Sequence, residues 1–90
     1  MIDLIIGDIY YSRERSITNN RDTKEIKESF KDVFVRGKKH LYDNDNNLTM
    51  ICDDIIHPEK STRRIWNNPE YPKWIHIGPG EINDYPEYLL

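Results

Sequence analysis

The residues of this 90-residue chain that could do chemistry fall into a few short clusters. Asp43-x-Asp45-x-Asn47, with Asp54 further on, puts oxygen-bearing side chains at positions one, three, five and twelve, the spacing of a calcium-binding loop. Position six is Leu48, where that loop needs glycine for its sharp turn, and position twelve is Asp where a bidentate Glu is usual. The stretch therefore reads as a polar hairpin turn. Cys52 and His57, with His40 and His76 elsewhere, supply a thiol and imidazoles. They lack the paired spacing of a zinc site, and no third group orients a nucleophile and its base. Cys52 reads as a small buried hydrophobe on a strand. Asp53, Asp54 and Glu59 with Lys60 could hold a divalent cation and offset charge on a phosphoryl group. On a strand, however, Asp53 and Asp54 point to opposite faces, so the pair reads as a solvated strand end. No metal or cofactor is expected.

Two further clusters bear on binding. Lys60, Arg63, Arg64 and Trp66, placed on one short helix, could contact phosphate and stack a base. The isoelectric point of about 5.5 opposes that reading, because nucleic-acid modules usually carry a net basic field. The tail Tyr85-Pro86-Glu87-Tyr88-Leu89-Leu90 combines acidic and aromatic side chains, which serve as interface anchors or cover the domain's own sheet. The expected partner-contact residues are Asp45, Asp53, Asp54, Tyr71, Tyr85, Glu87 and Tyr88. Separately, Gly7 to Tyr11, GDIYY, resembles the first strand of MazF/PemK-type endoribonuclease toxins over those five residues. The basic loop and Arg-Pro-Val strand that follow in that family have no counterpart here, so the resemblance assigns no catalytic residue.

The elements that must position these groups are read from period and punctuation. Asp22 to Arg36 predicts the principal helix. Asp22 or Thr23 serves as N-cap with Glu25 completing a capping box, and Ile26, Phe30, Val33 and Phe34 form one apolar face. Gly37 then takes a left-handed C-cap. Met1 to Ser12 alternates as a strand, bulged at Gly7, with a runner-up in which the strand continues through a turn into Ser16-Ile17-Thr18. Lys39 to Ile56 predicts a hairpin around Asp43–Asn47, with Leu48, Met50 and Cys52 sharing one face. Pro58 to Trp66 predicts a second, short helix, and Lys73 to Ile77 a last strand. The fold class expected is α+β in one domain over 1–90. It has an antiparallel sheet of about four strands, one main amphipathic helix and one short helix, and a tail over 81–90 with little structure of its own. The expected buried set is Leu4, Ile6, Ile26, Phe30, Phe34, Met50, Cys52, Trp66 and Ile75.

Composition sets outer bounds. The chain is 32% charged and 37% hydrophobic, with a mean hydropathy of −0.84, enough for one modest core and no membrane span. A single cysteine excludes an intramolecular disulfide and fits a reducing cytosol. The net charge of −3 conceals alternating blocks, among them +3 over residues 21–42, −5 over 43–59 and +3 over 60–73. Such a dipolar surface suits one complementary partner better than non-specific nucleic-acid binding. Alanine and glutamine are absent while Ile, Asn, Lys and Tyr abound, the signature of an AT-rich genome such as those of low-GC bacteria and their phages. The expected function is stoichiometric, non-enzymatic binding of a host protein in the cytoplasm, for example as a phage-encoded inhibitor. The alternatives are a nucleic-acid or nucleotide-phosphate module and a small metal-dependent or RNA-cleaving enzyme. No oligomeric state is implied.

Overall fold

The computed structural model describes residues 3–59, 62–67 and 74–89, and its framework is one antiparallel sheet. The strands are β1 (Ile9–Asn19), β2 (Ile26–Tyr42), β3 (Leu48–Asp54), β4 (Arg63–Trp66) and β5 (Ile75–Gly78). Their order across the sheet is β4-β3-β2-β1-β5. The α+β expectation is thus overturned, since no α-helix occurs among the described residues.

The segment expected as the principal helix is instead the hairpin loop and most of β2. Period two explains it: Ile26, Glu28, Phe30, Asp32 and Phe34 share one face of β2, and Lys27, Ser29, Lys31, Val33 and Val35 share the other. Val33, Phe34 and Val35 are buried in succession where the strand is covered on both faces, an environment that β-branched and aromatic residues fill well. β1 supplies the matching strand, with Arg13 opposite Asp32 and Glu14 opposite Lys31 in an unbroken register from Ile9↔Arg36 to Asn19↔Ile26. Ser16-Ile17-Thr18 is strand, as the runner-up reading had it, but the turn that reading placed before it is absent: β1 is unbroken from Ile9 to Asn19. Asp22 and Thr23 lie in the connecting loop. There the Asn20 side chain accepts the Asp22 N–H at 3.0 Å, Asn20 N–H donates to Glu25 O at 2.9 Å, and Lys24 adopts a φ of +57°.

The other expected elements fared unevenly. The Asp43–Asn47 turn does join β2 to β3, with Asp43 Oδ1 accepting the N–H groups of Asp45 and Asn47. That holds the Asp43 carboxyl below its usual range, the Asn47 N–H being the largest cause. The last strand is present as β5. The short helix expected over Pro58 to Trp66 is not found among the described residues, where Arg63–Trp66 is a strand that delivers Ile65 beside Met50; residues 60 and 61 lie outside them. The N-terminal strand starts only at Ile9. The preceding segment crosses the sheet end, held where Tyr10 Oη accepts Ile5 N–H and donates to Asp3 O. The tail folds into two single 3-10 turns, Ile82–Asp84 and Pro86–Tyr88.

One face of the sheet carries the core: Leu4, Tyr10, Val33, Val35, Met50, Cys52, Ile65 and Trp74. Of the expected buried set, Leu4, Phe34, Met50 and Cys52 are buried, whereas Ile6, Ile26, Phe30, Trp66 and Ile75 are exposed. Arg63 is ion-paired with Glu14 over the core face. Arg63 lies level with Gly37 and Glu14 level with Lys31. In a flat sheet those levels would be roughly 20 Å apart along the strands, at about 3.3 Å per residue. Their contact means that the sheet coils over its buried face, in the sense that strand twist favours.

Candidate functional site

Beyond Ser12 and Val33 the β1–β2 hairpin leaves the core and continues as a two-stranded ribbon. β3 pairs with β2 only from Val35 to Tyr42, and β5 with β1 only from Ile9 to Tyr11. Residues 13–19 and 26–30 therefore have no outer neighbouring strand among the described residues. A bare two-stranded ribbon is marginal in water, and this one is supported by cross-strand side-chain pairs.

The ribbon's two faces differ. The face continuous with the core carries Glu14, Ser16 and Thr18 opposite Lys31, Ser29 and Lys27. The opposite, outer face carries Arg13, Arg15, Ile17 and Asn19 on β1 and Asp32, Phe30, Glu28 and Ile26 on β2. Ile17, Ile26 and Phe30 are 56%, 71% and 58% exposed. Their charged neighbours are closed on each other: Arg13 to Asp32 at 3.3 Å and Arg15 to Glu28 at 3.1 Å, with the Arg13 guanidinium 5.7 Å from the Phe30 ring centre. Tyr11 Oη donates to Asp32 Oδ1 at 2.8 Å. That bond raises the Tyr11 phenol, and it lowers the Asp32 carboxyl, with Arg13 adding to the lowering. The outer face thus combines an apolar centre with internally neutralised charge. It continues into the ring cluster of Tyr11, Phe34 and Tyr88, with centroids 5.0 Å apart for Tyr11 and Phe34 and 5.5 Å for Tyr11 and Tyr88.

The residues expected at the site are scattered by comparison. Asp45 is exposed on the β2–β3 turn. Asp53 and Asp54 sit at the other end of β3 and on opposite faces. Asp53 pairs with Lys38 at 3.4 Å, while buried Asp54 accepts the N–H groups of Ile56 and His57 at 3.0 and 2.8 Å. The tail tyrosines serve the fold: Tyr85 Oη donates to Pro79 O at 2.5 Å, and Tyr88 covers Tyr11 and Phe34, leaving Glu87 exposed between them. Tyr71 and Lys60 lie outside the described residues. The remaining basic cluster is split by the strand. Arg63 faces the core side toward Glu14, while Arg64 lies on the outer face, donating to Thr49 Oγ1 at 3.0 Å and lying 5.4 Å from the half-exposed Trp66 ring.

Groups with catalytic potential are similarly tied. Burial pushes the Cys52 thiol up to about 12, with Asp53 adding to the rise, so it is a neutral core group. His76 Nε2 lies 2.6 Å from Asp8 Oδ2 and its ring stacks on Tyr10 at 4.9 Å, which fastens β5 to the start of β1. Among the described residues no three of His, Cys, Asp and Glu converge closely enough to share a metal ion. No described helix is long and apolar enough to cross a membrane. The exposed ribbon-face residues that the sequence reading did not single out as a surface are Arg13, Arg15, Ile17, Ile26, Glu28, Phe30 and Asp32. The signal that could have found them is opposite charge in register across a hairpin whose turn Asn20 nucleates.

The described residues form a small, mostly-β structure with an exposed two-stranded ribbon. No protein-family model matches the chain, and searches of curated proteins and of solved structures find no match either. The GDIYY resemblance therefore extends no further than its five residues.

Proposed function

We propose that this protein is a non-enzymatic binding module that works by stoichiometric protein–protein contact, with the outer face of the ribbon as its contact element. The observation that carries this reading is the exposure of Ile17, Ile26 and Phe30 on one face, flanked by two closed ion pairs. An apolar centre with a polar rim is the anatomy of a protein interface. Arginines already neutralised by carboxylates are poor phosphate ligands, so the same face does not suit nucleic acid. The specific form that composition favours is an inhibitor of a host protein, encoded by a phage of a low-GC bacterium.

The test compares wild type with Ile17→Asn/Phe30→Asn as baits in a low-GC bacterial lysate. It continues by purifying what is retained and titrating it against both. A saturable one-to-one partner bound by wild type and lost by the double variant supports the reading. A partner held equally by both moves the contact off the ribbon and overturns it. A second reading rests on Arg64 stacked on half-exposed Trp66: a nucleotide or single-stranded nucleic acid contacting that corner. Its signature is binding that weakens steeply with salt and is lost in Trp66→Ala, while Arg63→Ala leaves it unchanged.

A further inference from the structure

We infer that the partner protein contributes an extended segment that adds to the ribbon as a third strand along the open edge of β2, antiparallel to it and in line with β3. This rests on the reading of the ribbon as a protein-contact element and names the form its partner takes. In an antiparallel ladder each residue directs its N–H and C=O to the same side, and that side alternates along the strand. Glu25 O accepts Asn20 N–H at 2.9 Å and Gly37 N–H donates to Asp8 O at 3.0 Å, so the odd-numbered residues of this stretch face β1. Phe34 O instead accepts Ile55 N–H at 2.9 Å, on the β3 side. Ile26, Glu28, Phe30 and Asp32 therefore direct their backbone groups to the β3 side as well. There the pairing with β3 has already stopped, at Val35↔Asp54. Among the described residues no backbone group bonds to them on that side.

Two devices that commonly close an edge are missing. The stretch holds no proline, and its register with β1 runs without a bulge from Ile9↔Arg36 to Asn19↔Ile26. Tyr88 lies on the rings of Tyr11 and Phe34, short of Ile26 to Phe30, where every residue is exposed. The side chains define what the edge admits. On the outer face an added strand runs beside Ile26 and Phe30, and beside Glu28 and Asp32, whose charges Arg15 and Arg13 already offset. On the opposite face it runs beside Lys27, Ser29 and Lys31, a row carrying only positive charge. The segment that fits therefore alternates apolar with acidic residues, as cross-strand neighbours of matched character favour. A second copy offering the same edge would set this lysine row against itself, so the occupant is foreign. Backbone bonds supply the affinity and the alternating side chains the selectivity, the usual division in strand addition. The edge from Ile26 to Asp32 is roughly 20 Å long at about 3.3 Å per residue, room for about seven residues.

The probe is a blocked peptide of alternating valine and glutamate that begins and ends on valine, titrated into the isotope-labelled full chain and followed by amide exchange. In the free protein the amide protons of Glu28 and Phe30 should exchange faster than those of Lys27 and Ser29, and saturating peptide should slow the first pair at least about tenfold. N-methylation of the valines, whose N–H groups meet β2 in an antiparallel pair, should abolish binding, whereas N-methylation of the glutamates should leave it. Lys27→Glu should weaken binding about threefold or more and should prefer the peptide with lysine in place of glutamate, a swap that fraying of the ribbon could not produce. Glu28 and Phe30 amides already protected in the free chain, or no saturable shift up to about 1 mM peptide, overturn strand addition at this edge. So does binding that survives N-methylation of the valines. Neither result touches the outer face as a contact surface, which the comparison with Ile17→Asn/Phe30→Asn decides.

Discussion

Replacing Gly37 by alanine should cost the sheet a substantial part of its stability. Gly37 does not adopt a left-handed conformation; the described glycines that do are Gly7, Gly78 and Gly80. Its demand is for space. A Cβ there would lie 2.6 Å from Met50 Sδ, 2.8 Å from Met50 Cε and 2.9 Å from Ile5 O. Met50 is fully buried, so its thioether can give way only by displacing neighbouring core groups. The Ile5 carbonyl belongs to a segment fastened by Gly7 N–H to Gly37 O at 2.9 Å and by Ile5 N–H to Tyr10 Oη at 2.8 Å. Overpacking of this kind costs about 1–3 kcal/mol, and a clash with both a confined side chain and a pinned carbonyl belongs in the upper half. At about 4–8 °C per kcal/mol for a domain of this size, the melting temperature should fall by roughly 10–20 °C. Urea denaturation should show a lower midpoint at unchanged slope. Asparagine, which a left-handed helix cap would accept, should be worse than alanine. Met50→Ala alone should cost about 2–5 kcal/mol, and the double variant should cost about 1 kcal/mol less than the sum, since the shortened side chain releases part of the clash. A Gly37→Ala melting temperature within about 2 °C of wild type, or strict additivity with Met50→Ala, would refute the close approach.

Other outcomes follow from the same coordinates. Phe30→Ala should change stability by no more than about 0.5 kcal/mol and Phe34→Ala should cost about 3–5 kcal/mol, since the first ring is exposed and the second buried; equally large losses at both in chemical denaturation would contradict the strand placement. Cys52 should resist thiol reagents in the native protein and react at once in denaturant, and a native rate like that of free cysteine would contradict a thiol held near 12. Asp43 and Asp32 have folded-state pKa values below the ordinary 3.8, so the stability they contribute is complete above that value and drains away as pH falls below it. Tyr11 shifts the other way: its contribution is complete below 10 and is lost as pH rises through its raised value. Urea midpoints measured across pH should therefore fall at both ends, with Tyr11→Phe flattening the alkaline limb and Asp43→Asn the acid one.

How much of this was legible depends on where the deciding information lay. The β2–β3 hairpin could be read because Asp43 to Asn47 is a local turn signal, and the opposite faces of Asp53 and Asp54 follow from strand pleat alone. Asp22 to Arg36 could not be settled locally, because apolar residues at 26, 30 and 34 are four apart. Four is close to one helical turn and is also an even number, so Ile26, Phe30 and Phe34 fit a helix face and a strand face equally. The residues that break the tie are in β1, where Arg13 and Glu14 find Asp32 and Lys31 across the ribbon. Likewise Asn20, Asp22 and Thr23 are as good at closing a turn as at capping a helix. The exposed ribbon face was hidden for the same reason: once Ile26 and Phe30 are assigned to a core, they cannot be seen as exposed.

The strand order has a consequence for how the molecule is made. β1 to β4 join neighbours in sequence, so each strand can pair with the one synthesised just before it. β5 does not: it returns past three strands to lie beside β1. It brings Trp74 into the core and His76 onto Asp8 and Tyr10. Until residues 74–78 emerge from the ribosome, the first-made strand waits with one side of Tyr10 uncovered. Long-range closure of this kind is the slow part of assembling a sheet. A nascent chain should hold a loose four-strand meander and become protease-resistant in one late step, when its last strand finds its first.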